Sequence, residues 1–364
     1  MTNPLFKPFT CKGLTLPNRI VMAPMTRSQS PGGVPTQKVA DYYARRAGAD
    51  VGLIITEGTL INRGGASNDP NIPEFHGEKP LAGWKKVAGD VHEAGGKIAP
   101  QLWHMGLVRK PGTGLYPDAA SDSPSGMTHT GKQVAEAPTD ADITDMIMAY
   151  AESAGHAARL GFDSVELHGA HGYLIDQFFW DAMNVRDGHY GGDLIGRTNF
   201  AADIIRECKK QLPEHVPLIL RVSQWKQQNF TARLAETPQK LNAFLTPLSD
   251  AGVDIFHCSQ RRFWESEFDG SDLNLAGWTK KLTGRPTISV GSVGLDGDFI
   301  GSFSGAGSKT APLEMLYERM ERGEFDMIAI GRALLQDPHW AKKVKEGRMD
   351  ELDAFTAASL AVLN

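Results

Sequence analysis

The chain alternates between two hydrophobic periods. Short β-branched or otherwise apolar runs occur at Ile20–Met25, Val51–Glu57, Lys97–Trp103, Asp163–His168, Leu218–Ser223, Asp254–Ser259, Thr287–Val290 and Met327–Ile330. Each is followed by Gly, Pro, Ser or polar residues, the pattern of a buried strand ending in a turn. Between them the 3.6-residue period predicts amphipathic helices over Thr36–Ala47, Ala82–Ala94, Asp140–Leu160, Gly196–Gln211, Pro238–Ala251 and Pro312–Arg322. Several stop at glycine, as in AGGK, LGFD, AGVD and RGEF. Strict strand–helix alternation implies parallel strands. Eight such units favour an α/β fold closed into a (β/α)8 TIM barrel. A doubly wound sheet would usually show a glycine fingerprint after its first strand, and here that turn reads APMTRS.

Two stretches exceed a minimal barrel. Lys110–Pro138 follows the third strand and Leu295–Thr310 the seventh, so both elaborated loops are expected at the C-terminal face, where barrels carry their active sites. Phe9–Asn18 is expected to form a β-hairpin that plugs the opposite end. No composition break demands a second domain, and residues 1–364 read as a single barrel domain. A net charge of −5 with 22% charged residues argues against disorder and offers no electrostatic case for nucleic acid. Cys11, Cys208 and Cys258 are far apart and form no CxxC, which disfavours a disulfide framework or an iron–sulfur cluster. No apolar run approaches ~18 residues. The expectation is a cytoplasmic protein with no membrane partner.

Chemistry enters where polar residues interrupt the strands. The fourth strand reads DSVELH and runs into GAHGYLID. Alternation sends Val165 and Leu167 toward the helices and Ser164, Glu166 and His168 into the barrel. Gly169 and Gly172 allow a tight turn that brings His171 and Tyr173 to the same rim. Neutral imidazoles donate N–H to a carbonyl oxygen, and a phenol delivers a proton. A metal pair, lacking an obvious third ligand, and structural histidines in a polar turn are the alternatives. In the third strand, Gln101 and Trp103 share an inward face. There Gln101 meets either an amide-like ring edge or neighbouring strands. In the fifth strand, Arg221 interrupts an apolar run, and a buried arginine needs an anion or many acceptors. Its partner is either Glu166 or negative charge on a ligand. The seventh and eighth strands end in TISVGSVG and DMIAIGRA. Small residues there, with Arg332, suit the phosphate of a cofactor or substrate.

The segments NRIVMAPMTRS, ITEGT, QLWHMG, VELHGAHGYLIDQF, LRVS and MIAIGRALLQDP together resemble the Old Yellow Enzyme family of FMN-dependent ene reductases, from about Pro4 to Trp340. The resemblance implies non-covalent FMN inside the barrel. Pro24, Met25 and Thr26 would border the flavin, with Gly58 and Gln101 facing its ring system. Arg221 would stabilise negative charge at the ring's pyrimidine edge. Gly291, Ser292, Val293, Gly331 and Arg332 would hold the phosphate. His168 and His171 resemble the pair that binds the substrate oxygen, and Tyr173 the proton donor. Many relatives carry His-x-x-Asn where this chain has His-x-x-His, and Thr26 places it with the Thr-bearing subgroup rather than the cysteine-bearing one.

The activity implied is reduction of FMN by NADPH or NADH, followed by hydride transfer to the β-carbon of an α,β-unsaturated carbonyl or nitroalkene. Tyr173 would protonate the α-carbon. Nitrate ester or nitroaromatic reduction is an implied side activity. Trp103, Phe263 and Trp264 are read as an aromatic rim for a flat, apolar substrate, with core packing as the alternative for Trp264. No metal is expected, and the protein is read as a monomer or homodimer. The rival readings are a flavin-binding protein without turnover and a dienoyl-CoA reductase-like enzyme. The second usually carries a cysteine cluster, which this sequence lacks.

Overall fold

The computed structural model describes residues 3–297, 301 and 305–364. Phe9–Cys11 (β1) and Leu14–Leu16 (β2) form an antiparallel hairpin. The eight apolar runs become Ile20–Met22 (β3), Leu53–Leu60 (β4), Lys97–Trp103 (β5), Val165–His171 (β6), Leu218–Lys226 (β7), Ile255–Ser259 (β8), Thr287–Val290 (β9) and Met327–Ile330 (β10). They pair in parallel and close between β10 and β3. The α/β barrel expected from the alternation is the fold found.

Side-chain parity explains what fills the barrel. Val21, Leu53, Ile55, Ala99, Ile219, Ile255, Ile288 and Met327 form an interior cluster, and Phe9, Leu14 and Leu16 of the hairpin pack beneath it. The hairpin is thus the floor of the barrel. Val165 and Leu167 belong to the separate core between strands and helices. Two residues beyond the apolar layer, the same inward parity yields Gln101, Arg221 and His257, and Glu166 joins them from β6. The barrel is therefore apolar below and polar above.

The outer helices include Gln37–Ala47 (α1), Glu78–Glu93 (α2), Asp140–Leu160 (α3), Leu174–Phe179 (α4), Asn199–Gln211 (α5), Pro238–Ala251 (α6), Leu275–Thr283 (α7) and Glu314–Glu321 (α8). The longest, α3, begins in a Thr139–Asp142 capping box and ends at Gly161 with φ 82°. Of these eight, two lie outside the sequence expectation. In α7 a short, mixed segment is fixed by its Asn274 cap rather than by periodicity. In α4 a six-residue turn of helix follows β6 directly. No helix among the described residues is long and apolar enough to cross a membrane.

The loop after β5 is held by Arg109, which donates to the carbonyls of Ser67, Thr113, Tyr116 and Ala119. The Leu295–Thr310 loop lies partly outside the described residues, although Leu295 and Thr310 themselves pair as a bridge. At the C-terminus, Arg27 donates to the carbonyls of Ser359, Leu360 and Val362. That grip draws Leu360 to the mouth of the barrel.

Candidate active site

A cavity of about 370 Å³ opens at the C-terminal end of the strands. Pro24, Met25, Thr26, Gly58, Gln101, Trp103, His168, His171, Tyr173, Arg221, Gly291, Ser292, Val293, Gly331 and Arg332 all line it. The expected site residues, with two exceptions in the aromatic rim, therefore converge from seven strands on one space. Trp264 takes the core-packing alternative. Neither it nor Phe263 is part of the lining; Trp264 packs edge-on against Phe263 at 5.1 Å, and its carbonyl accepts from Arg319.

The polar floor of the cavity is a fixed chain. Gln101 Nε2 donates to Glu166 Oε1 at 2.8 Å, and His257 Nδ1 meets Glu166 Oε2 at 2.7 Å. Both carboxylate oxygens are thereby engaged, and no ion pair joins Glu166 to Arg221 among the described residues. Arg221 is 6% exposed, yet among the described residues its Nε has no hydrogen-bond partner. An unsatisfied buried guanidinium nitrogen is costly unless something supplies an acceptor. Of the two partners considered for Arg221, the arrangement favours a ligand. A flat heterocycle with carbonyl edges, such as a flavin, fits this donor set.

The opposite end suits a phosphate. Gly291 has φ 150° and Ser292 φ 48°, and a Cβ on Gly291 would lie 2.8 Å from the Gln260 carbonyl and 2.9 Å from the Arg262 amide. Only glycine allows the backbone to approach so closely there. The Arg332 guanidinium reaches the Ser292 hydroxyl at 3.3 Å and the Gly297 carbonyl at 2.6 Å, which places its charge beside that turn.

The rim residues owe their positions to the end of β6. His171 adopts φ 66° and Gly172 φ 77°. A left-handed histidine is uncommon and must be held by its surroundings. Its amide donates to Ser223 Oγ at 2.9 Å, and the Gly172 amide to Asp176 Oδ2 at 2.7 Å. Asp176 in turn pairs with Lys226 at 2.6 Å, both fully buried. Gln177 accepts from the Leu107 amide and donates to the Gly172 carbonyl. The strand reversal is thus anchored from three sides.

The resulting ring cluster is tight. His168 and His171 meet edge to face at 5.0 Å, Tyr173 lies 4.9 Å from both His168 and Trp103, and Trp225 stacks on His171 at 4.5 Å. Among the described residues no group of His, Cys, Asp or Glu is arranged to hold a metal. Burial, reinforced by the Arg221 charge, holds both imidazoles well below their usual pKa, so they are neutral N–H donors at physiological pH. Burial raises the Tyr173 phenol above 10, against the weaker pull of Gln227 and Arg221, so it stays protonated.

Several lining residues went unread in the sequence: Arg27, Trp225, Gln227, Phe230, Ser259, Gln260, Arg261 and Leu360. Two signals were present. The inward parity that selects Arg221 also selects Trp225 once β7 continues past Ser223. The same parity in β8 selects His257 and Ser259.

Glu57 supports the loop after β3 without entering the cavity. Its Oε2 accepts from the amides of Arg27 at 2.8 Å and Ser28 at 3.2 Å. Burial raises its pKa from 4.5 to about 7, outweighing those donors. The folded protein then binds a proton that the unfolded chain releases, so stability falls as pH rises from about 4.5 to about 7. Glu57→Gln should flatten that slope, by up to about 3 kcal/mol across the interval. It should not abolish it, because burial also raises Glu267 to about 7. Urea midpoints measured across this range check the expectation, and an unchanged slope would refute it.

A barrel of this kind, with a glycine turn and Arg332 at β9–β10 and a buried cation under a flat polar slot, suits a phosphorylated, flat cofactor. Comparison with known proteins agrees. The family model for the NADH:flavin oxidoreductase / NADH oxidase family matches residues 4–351. The chain is 33% identical over 359 residues to an NADH oxidase from Thermoanaerobacter brockii, covering 96% of this chain and spanning 52% of that protein's length. It is 29% identical over 365 residues to 12-oxophytodienoate reductase 7 from Oryza sativa subsp. japonica, covering 94% and 88% of the two chains. The solved structure of an old yellow enzyme homologue from Zymomonas mobilis superimposes with a TM-score of 0.79 at 26% identity, covering 98% of this chain and 96% of that one. The chain belongs to the NADH:flavin oxidoreductase / NADH oxidase family, the Old Yellow Enzyme family of FMN-dependent, NAD(P)H-consuming oxidoreductases.

Proposed function

We propose that this oxidoreductase reduces the C=C bond of electrophilic alkenes, namely α,β-unsaturated carbonyl compounds and nitroalkenes. The observation that carries the reading is the convergence, on one rim, of two neutral buried N–H donors and one protonated phenol. FMN, when bound, supplies the hydride chemistry, with NAD(P)H as its source. Hydride arrival at the β-carbon pushes an electron pair onto the substrate's carbonyl or nitro oxygen. His168 and His171 receive that charge as hydrogen-bond donors without changing their own protonation, the preorganised arrangement that lowers such barriers. Tyr173 then gives its proton to the α-carbon. Trp103, edge-on to Tyr173, narrows the slot to a flat substrate.

The other roles follow from position. Arg221 presents positive charge to the ring system, and Gln101 presents its amide, oriented by Glu166. Pro24, Met25, Thr26 and Gly58 wall the slot, and Gly291, Ser292, Val293, Gly331 and Arg332 hold the phosphate. The relative named for 12-oxophytodienoate supports this reading.

The visible spectrum of the purified protein tests it. NADPH or NADH should bleach the bound FMN anaerobically, and an added enone should restore the colour with one saturated ketone formed per flavin. Colour returning with dioxygen but not with any enone or nitroalkene would overturn the proposal. Arg332→Ala should weaken FMN retention by about tenfold or more, the scale of a lost charge-assisted hydrogen bond, measured as flavin released on ultrafiltration.

A further inference from the structure

The two rim histidines differ in what lies behind them. The Ala170 amide lies 3.4 Å from Nδ1 of His168. An amide can only donate, so this contact favours Nδ1 as acceptor and the proton of the neutral ring on Nε2. His171 is held through the other nitrogen. Its Nε2 lies 2.7 Å from the hydroxyl of Ser259, at the end of β8.

Within the protein that hydroxyl has one partner among the described residues. Ser259 is 3% exposed, and among the described residues His171 Nε2 is the sole partner of its Oγ. A buried hydroxyl proton is expected to find an acceptor. If Nε2 carried the imidazole proton, the serine proton would have no protein acceptor among the described residues. We infer that Ser259 is a positioning residue: it donates to Nε2 and holds His171 in the tautomer that carries its proton on Nδ1, the nitrogen left for the cavity.

The ring cannot easily turn away from this arrangement. Trp225 stacks on it with an interplanar angle of 28°, and the Trp225 indole donates to the Ser259 carbonyl at 3.3 Å. The His171 backbone is pinned by Ser223. The pair would therefore present opposite tautomers, Nε2–H from His168 and Nδ1–H from His171. Both would converge on one acceptor oxygen. This use of the donors rests on the alkene-reductase reading, whereas the tautomer itself does not.

Two measurements separate these. In holoenzyme labelled with 15N-histidine, two-bond 1H–15N spectra, assigned with His171→Gln, should show a protonated Nδ1 on His171 and a protonated Nε2 on His168. Ser259→Ala should shift His171 to a mixture of tautomers or to Nε2–H, and Ser259→Thr should restore Nδ1–H. A wild-type His171 protonated on Nε2, or a tautomer unmoved in Ser259→Ala, overturns the inference. The wild-type spectrum decides even if the alanine variant fails to fold. The second measurement is calorimetric binding of para-chlorophenol, whose oxygen mimics the developing enolate. Affinity should fall about tenfold in Ser259→Ala, the scale of one hydrogen bond, and recover in Ser259→Thr. Loss of affinity without rescue by threonine counts against positioning. If wild-type protein binds no phenol while His171 shows Nδ1–H, the tautomer inference stands and the substrate reading falls.

Discussion

Tyr173→Phe is expected to slow the enone-consuming half-reaction by about 10²-fold while leaving reduction by NAD(P)H nearly unchanged. The size follows from the role of a positioned general acid, and the selectivity from packing. Tyr173 meets Trp103 and His168 edge-on at 82° and 80°, contacts made by the ring and retained by phenylalanine. Only the hydroxyl is lost. Because burial pushes the phenol's pKa up from 10, the wild-type acid is fully protonated across the neutral range. The ratio of wild-type to variant rates should therefore be flat between about pH 6 and 9. A nitroalkene should suffer less than an enone, because its nitronate persists without immediate protonation. Stopped-flow flavin absorbance resolves the two half-reactions. Unchanged enone turnover in a well-folded variant would assign the proton to water or another rim group.

The histidine and tyrosine rim was legible because it combines an interior parity, Glu166–His168, with glycines that announce a turn. Arg221 was legible as a charge inside an apolar run. Both signals are local, and the barrel turned each into a position. What failed to show was non-local or irregular. The fifth strand read as ending at Ser223, where its apolar residues stop. Pairing of His171 with Lys226 across a bulge carries β7 three residues further and brings Trp225 into the cavity. Strand β4 likewise runs on to Leu60 through an irregularity between Ile55 and Gly58, which aligns Gly58 with Gln101. A Cβ on Gly58 would sit 2.6 Å from the Trp103 ring, so this glycine is set by its neighbour on β5, a fact that no single-strand pattern contains. Leu360 lies far from the barrel strands in sequence and reaches the cavity only through Arg27. Trp264 shows the converse. An aromatic after a strand suits rim or core alike in the sequence, and here its ring packs against Phe263 and the core.

Lys226→Met is expected to cost about 3–5 kcal/mol of stability, because it strands the Asp176 carboxylate in a fully buried site. The pair itself need not be strongly stabilising, since burying two charges offsets most of their attraction. Removing one partner exposes the whole desolvation penalty of the other. Burial already raises the Asp176 pKa, and Lys226 opposes that rise. Without the lysine, the folded protein should bind a proton that the unfolded chain does not. The deficit should then be smallest below the usual carboxylate range and grow as pH rises. Asp176→Asn should give the opposite slope. It leaves a buried amine whose pKa burial already lowers, so the folded protein binds fewer protons than the unfolded chain and stability climbs with pH. The double variant Lys226→Met/Asp176→Asn removes both charges yet keeps a side-chain oxygen for the Gly172 amide. It should recover most of the loss. Denaturant unfolding of the three variants between about pH 5 and 9 reads all of this. Parallel slopes for the two single variants would mean that neither charge is confined, and that the His171–Gly172 reversal is held by Ser223 and Gln177 alone. Opposite slopes that cancel in the double variant would instead tie the geometry of the rim to one buried ion pair, whose lysine sits on β7 beside the serine that pins His171.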